Sequence, residues 1–114
     1  MAAIVDIDGT LLLNGVRPNS AVIGIVSKLP DVFLVTGRPE TDRQRTIKQL
    51  AAAGITYVQL MMNNFGNDPT AQLESKRFNA QQIMKHAKVT TAIDDNAAAR
   101  RMYKSLGIPN VSAP

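Results

Sequence analysis

Two aspartates, Asp6 and Asp8, stand at the end of one apolar run, and two more, Asp94 and Asp95, stand side by side at the end of another. In an extended backbone side chains alternate between faces, so Asp6 and Asp8 send their carboxylates to the same side. Gly9 permits a tight departure of the chain and leaves room for an anion. Thr36-Gly37-Arg38 closes a further apolar run, and Lys76 lies in a later helical pattern. Carboxylates serve as nucleophiles, as general acids and bases, or as hard oxygen ligands for a divalent cation, while a hydroxyl and cations hold an anion. Each residue also has a plainer reading. Acid pairs are common in turns, Thr36 could satisfy a strand end, Lys76 could be a solvated first-turn lysine, and Asp95 could cap the last helix. The four segments carry complementary groups and all fall at element boundaries, which favours chemistry.

The elements that must position them follow from the apolar periodicity. Ala2 to Ile7 reads as a first strand that ends at Asp8-Gly9-Thr10. Residues Thr10 to Asn19, with Asn14-Gly15 and Arg17-Pro18, read as a small hairpin or flap. Ser20 caps a first helix with Val22, Ile25, Val26 and Leu29 on one face, and Val32 to Val35 forms a second buried strand. A second helix follows Pro39, capped near Thr41, with Ile47, Leu50 and Ala51 as its stripe and Gly54 as its break. Tyr57 to Met61 gives strand three, and Asn63 to Leu73, with Gly66 and Asp68-Pro69, reads as a surface loop. A third helix begins near Ser75, Val89 to Ile93 gives strand four, a final helix runs to Gly107, and Asn110 to Ser112 adds a short fifth strand. Repeated strand and helix units with buried strands predict an α/β three-layer sandwich around a mainly parallel, Rossmann-like sheet. Such sheets collect ligands beyond the C-terminal ends of their strands, where Asp6 and Asp8, Thr36-Gly37-Arg38 and Asp94-Asp95 lie.

The chain has 114 residues, 45% of them apolar, which fits one domain over residues 1–114 with the flap around 10–19. It has no cysteine and a single histidine, His86, which excludes a disulfide framework, a thiolate zinc site and a histidine cluster. No apolar run is long enough to span a bilayer and no signal-like segment opens the chain, so a soluble, cytoplasmic protein without a membrane partner is expected. Thirteen Lys and Arg against nine Asp and Glu give a formal charge of +4. If four of the acids cluster at a metal, the remaining surface is more basic still and favours phosphate-bearing partners.

At this point the sequence resembles the haloacid dehalogenase-like phosphohydrolases. Asp6-Ile7-Asp8-Gly9-Thr10 matches their first motif, Thr36-Gly37-Arg38 the second, Lys76 the third and Asp94-Asp95 the fourth, in order and across nearly the whole chain. The resemblance implies a capless fold of that type, Mg²⁺ as cofactor and a phosphate monoester as substrate. It implies that Asp6 is the nucleophile and that Asp6, the backbone carbonyl of Asp8 and an acid from Asp94 or Asp95 hold the metal. The side chain of Asp8 would protonate the leaving alkoxide and then activate water. Thr36 would donate to phosphoryl oxygens and Lys76 would neutralise phosphate and Asp6, with Gly9, Thr10 and Gly37 lining the anion site.

The second motif narrows the resemblance. Thr36-Gly37-Arg38-Pro39 followed by Arg43, Thr46 and Leu50 is similar to the 3'-phosphatase domains of polynucleotide kinases, as are Arg17 in the flap and the run from Asn96 through Arg100 and Tyr103 to Leu106-Gly107. By that analogy Arg17, Arg38 and Arg43 contact substrate, which would be a DNA or RNA end. One departure stands against it: relatives carry an arginine soon after strand three, where this chain has Leu60-Met61-Met62-Asn63-Asn64. A phosphatase for nucleotides, sugar phosphates or other small metabolites is the alternative, and a phosphate- or nucleic-acid-binding module without catalysis is a further one. Phe65 or Tyr103 could stack on a base. Strand order and oligomeric state are not encoded in any pattern of the sequence.

Overall fold

The computed structural model describes residues 1–114 and places a five-stranded parallel sheet at the centre of the molecule. In chain order the elements are β1 (Ala2–Val5), β2 (Leu12–Leu13), β3 (Arg17–Pro18), α1 (Ser20–Val26) and β4 (Val32–Pro39). A 3₁₀ turn (Glu40–Asp42) leads into α2 (Arg43–Ala52), β5 (Gln59–Asn63), α3 (Pro69–Met84), β6 (Val89–Ile93), α4 (Ala97–Ser105) and β7 (Asn110–Ser112). The sheet order is β5-β4-β1-β6-β7. The chain builds outward from β1 through β4 to β5, then returns to lay β6 on the other side of β1. The strand order therefore reverses between β1 and β6, and a crevice opens at their C-terminal ends. Val5, the last residue of β1, pairs with Leu34 on one side and Ile93 on the other, which brings the following Asp6 close to Asp94.

Strand β1 is buried on both faces, and its alternation splits the core in two. Ala3 and Val5 pack with Leu34 of β4, Val22 and Val26 of α1 and Leu50 of α2. Ala2 and Ile4 pack with Ala80 and Ile83 of α3 and with Ala99, Met102 and Tyr103 of α4. Helices on both faces give the three layers that the strand and helix pattern predicts. Each fully buried Val, Leu or Ile contributes about 1.5–3 kcal/mol of transfer free energy, so the strand that ends at Asp6 is held from both sides.

The flap is the predicted hairpin: β2 and β3 are antiparallel, and Asn14 and Gly15 turn between them with φ of 51° and 77°. Its base is anchored, because Leu11 and Leu12 are fully buried and Asn19 donates its side-chain amide to the Thr10 carbonyl at 3.0 Å. Asn19, not Ser20, thus occupies the position before α1. No side chain caps α2, and Thr41 lies within the 3₁₀ turn.

Two boundaries differ in ways that matter to the site. Strand β5 spans Gln59–Asn63, two residues later than expected, because Tyr57 turns into the α1/α2 core instead of the sheet. Helix α3 starts at Pro69, well before Ser75: the Asp68 side chain accepts from the Ala71 amide and Pro69 takes the first helical position. What read as a turn dipeptide is an N-cap followed by an N-terminal proline. Lys76 consequently lies about two turns into α3, on its buried face.

Candidate active site

The centre of the site is the carboxylate of Asp6, buried where β1 ends. Its Oδ2 accepts from the Thr10 hydroxyl at 3.1 Å and its Oδ1 from Lys76 Nζ at 3.2 Å. Lys76 also donates to Asp94 Oδ2 at 2.7 Å, and the other oxygen of Asp94 accepts from the Asn96 amide at 2.9 Å. Asp94 is fully buried and Asp95, one residue on, is exposed. Carboxylate oxygens of Asp6, Asp94 and Asp95 all lie within 4.8 Å of one another. Asp95 reaches this cluster over Gly9, whose φ is 77°; a Cβ there would stand 2.1 Å from Asp95 Oδ2. The glycine is therefore required twice, for its backbone angle and for the acid that lies against it.

The electrostatics are unbalanced. Three carboxylates face one ammonium, so full ionisation leaves an excess of two negative charges in a largely buried site. Burial, opposed by Lys76 and reinforced by Asp94 and by a bond to Asp95, pushes Asp6 well above the usual carboxylate value. Burial likewise raises Asp94, against the pull of Lys76. Burial alone would lower Lys76, but the carboxylates of Asp6 and Asp94 outweigh it and hold the ammonium above its ordinary value. A divalent cation would cancel the excess charge, and hard oxygen donors drawn from three carboxylates suit magnesium. The residues present thus fit the metal expected from the sequence, with Asp94 and Asp95 both within its reach.

Asp8 stands apart from that cluster and is gripped by Arg38. The guanidinium donates to both carboxylate oxygens, Nε to Oδ2 at 2.8 Å and Nη2 to Oδ1 at 2.7 Å. Its remaining donors go to Thr46 Oγ1, Gln49 Oε1 and the Gly15 carbonyl of the flap. Arginine has five N–H donors, and here five acceptors take them, so Arg38 keeps none for a substrate phosphate. Its position makes it the clamp on Asp8.

The other expected residues divide. Gly37 lines the cleft together with Asp6, Asp8, Lys76 and Asp95. Thr36 is buried at the end of β4; its oxygen accepts from the Arg38 amide at 3.1 Å, and its own proton is donated to no protein group. Arg43 is turned away, bonded to Glu40 and to the Leu60 carbonyl. Arg17 is exposed on β3, without a hydrogen bond or ion pair and outside the cleft lining. Tyr103 is fully buried in the α3/α4 core and cannot stack on a base. Phe65 and Phe78 are each about half exposed and lie against one another, with ring centroids 5.8 Å apart. Where the resemblance leads one to expect an arginine after strand three, Asn63 is buried and donates to the Gly37 and Gly66 carbonyls, tying β5 to the second motif.

Sequence reasoning missed Gln72 and Gln49 as parts of the site and placed Thr46 only within a motif, without a role. Gln72 lines the cleft beside Gly37, one turn before Lys76 on α3, and was hidden by reading that stretch as a loop. Thr46 and Gln49 sit three apart on one face of α2, a spacing that marks neighbours once the helix is known. Arg100, which entered only within the resemblance to the 3'-phosphatase domains, donates to the Asp94 carbonyl at 2.9 Å and braces the strand end that carries the acid pair.

The parallel sheet of this order, with helices on both faces and a buried acid cluster at the strand ends beside its reversal point, has the capless, haloacid dehalogenase-like architecture expected from the sequence. Among solved structures, a chain of the Pnkp1/Rnl/Hen1 RNA repair complex matches 98% of this chain at 26% identity with a TM-score of 0.74. This chain spans 42% of the length of that one. No protein-family profile and no curated protein sequence matches. No helix is long and apolar enough to cross a membrane.

Proposed function

We propose that the protein is a Mg²⁺-dependent phosphomonoesterase that works through an aspartyl-phosphate and acts on the 3'-phosphate of a polynucleotide end. The observation that carries the reading is the state of Asp6, a buried carboxylate fixed by Lys76 and Thr10 within reach of Asp94 and Asp95. In the first step an Asp6 oxygen attacks phosphorus, the bond from phosphorus to the leaving oxygen breaks, and Asp8 gives that oxygen a proton. In the second, Asp8 takes a proton from water, the water oxygen attacks the same phosphorus, and the bond to Asp6 breaks to release phosphate. Arg38 keeps Asp8 aimed through both steps, as a positioning residue. Lys76 holds Asp6 and offsets charge that develops on the phosphoryl oxygens, while Thr36, buried behind the cleft lining, keeps an uncommitted proton. Asp6, Asp94, Asp95 and the Asp8 carbonyl would hold magnesium, which supplies charge neutralisation to the phosphoryl group.

The polynucleotide assignment draws on the second-motif resemblance, the basic balance of the chain and the RNA repair structure it matches. Two observations favour the smaller-substrate reading instead: Arg38 is saturated, and Asn63 stands where an arginine is expected. The test measures Mg²⁺-dependent phosphate release from oligonucleotides ending in 3'-phosphate or 5'-phosphate and from mononucleotides, with Asp6→Asn as control. Preference for the 3'-phosphorylated oligonucleotide is expected. Equal or greater activity on small esters would transfer the assignment to metabolites, and no release from any ester would leave a binding module.

A further inference from the structure

The cleft that holds Asp6 and Lys76 measures about 280 Å³ and has no hydrophobic residue in its lining. A second cavity of about 400 Å³ adjoins it between the N-terminal ends of α3 and α4, and the two share Gln72, Lys76 and Asn96. That volume lies in the range of about 300–1,000 Å³ typical of small-molecule sites. Its lining has a different chemistry: Leu73, Ala98 and Ala99 give it an apolar surface, with Thr70 and Gln72 as polar groups. Lys76 is its one charged residue, and the ammonium lies at the acid end of the groove, donating to Asp6 and Asp94. Gln72 donates its amide to the Asn67 carbonyl at 2.9 Å, which leaves its side-chain oxygen as an acceptor beside Gly37, where the two cavities meet.

A phosphate monoester also has two joined halves, one anionic and one organic. We infer that the α3/α4 groove is the leaving-group site and takes the uncharged nucleoside that bears the phosphate; this deepens the phosphatase reading and rests on it. The apolar surface suits the faces of sugar and base, and Gln72 and Thr70 suit a hydroxyl or a base N–H. With no free cation in the groove, it has no partner for a second phosphate, so the polynucleotide backbone leaves over the rim.

The test fills the groove without touching the acids. Thr70 is exposed in the first turn of α3 and Ala98 is partly exposed in α4, so Thr70→Trp retains the fold if Ala98→Trp does not. Each is assayed on a 3'-phosphorylated dinucleotide and on acetyl phosphate, whose leaving group is too small to occupy the groove. The expected result is a KM for the dinucleotide raised roughly tenfold with kcat held within about twofold, the mark of lost uniform binding, while acetyl phosphate turnover stays within about twofold. The dephosphorylated dinucleotide should inhibit acetyl phosphate hydrolysis by the wild type and not by the variants. Unchanged dinucleotide KM, or equal losses on both substrates, overturns the leaving-group site while leaving the phosphatase reading intact. Absence of turnover of either substrate by the wild type overturns both.

Discussion

Replacing Lys76 with methionine keeps the length of the side chain and removes the one cation between two buried carboxylates. Lys76 lies 3.2 Å from Asp6 and 2.7 Å from Asp94, and the three side chains are 10%, 5% and 0% exposed. Solvent screens this triad little, and breaking a buried pair by removing one partner costs about 3–5 kcal/mol because the remaining charge is left uncompensated. For a chain of this length that is a fall in Tm of roughly 10–20 °C. The measurement is a urea melt in EDTA followed by far-UV circular dichroism, since the chain has no tryptophan. Adding Asp94→Asn to Lys76→Met should recover about half or more of the loss, as one of the stranded charges is gone. Turnover should fall about 10²–10³-fold even where the variant is folded. A single variant within about 1 kcal/mol of wild type, or a double variant no better than the single, would refute the claim that the lysine holds the acid cluster together.

Gly9→Ala places a methyl group 2.1 Å from Asp95 Oδ2 at a backbone angle that disfavours it, so the acid must move; Mg²⁺ titration followed by calorimetry should show affinity weakened by roughly tenfold or more. Arg38→Lys cannot reproduce a two-point grip and three further bonds, and kcat on esters with poor leaving groups should fall about 10²-fold while activated aryl phosphates are affected less; equal losses would argue against a role through Asp8. Because burial raises Asp6 and Asp94, the folded metal-free protein retains protons that the unfolded chain has released above about pH 4. Stability contributed by these groups therefore falls as pH rises from that point. The wild type in EDTA should lose ground to Asp6→Asn between about pH 5 and pH 8, and a constant gap would contradict it. Magnesium at about a hundred times its Kd should restore about 2.7 kcal/mol to the wild type, read as a rise in Tm.

The apolar runs and the polar residues that end them were enough to give the layers, the parallel sheet and the gathering of Asp6, Asp94 and Asp95 at one edge, because each depends on local pattern, whereas Lys76 joined them only through the motif resemblance. Strand order was not readable, since parallel pairing joins segments far apart in the chain and leaves no local mark. The start of α3 was misread: Asp68-Pro69 serves a turn or a helix start equally well, and the first half of the helix's buried face, with Ser75, Lys76 and Asn79, carries no apolar stripe to decide between them. That boundary placed Lys76 about two turns into the helix on its buried face, and the loop reading hid Gln72. The choice between Asp94 and Asp95 was open in the sequence because adjacent residues at a strand end can both turn inward. Here one is buried on Lys76 and the other reaches the same oxygen cluster across Gly9. The saturation of Arg38 needed coordinates, since its acceptors come from the flap, from Asp8 and from α2.

The flap is the smallest appendage of the chain, and through one guanidinium it belongs to the Asp8 side of the cleft. Gly15 and Asp8 share the same outer nitrogen of Arg38, and α2 holds the other. The turn between β2 and β3 is thereby tied to the aim of Asp8 and not to the carboxylate of Asp6, which Lys76 and Thr10 fix separately. Under the proposed mechanism, a longer or shorter turn would shift Asp8 while the Asp6 carboxylate stays in place.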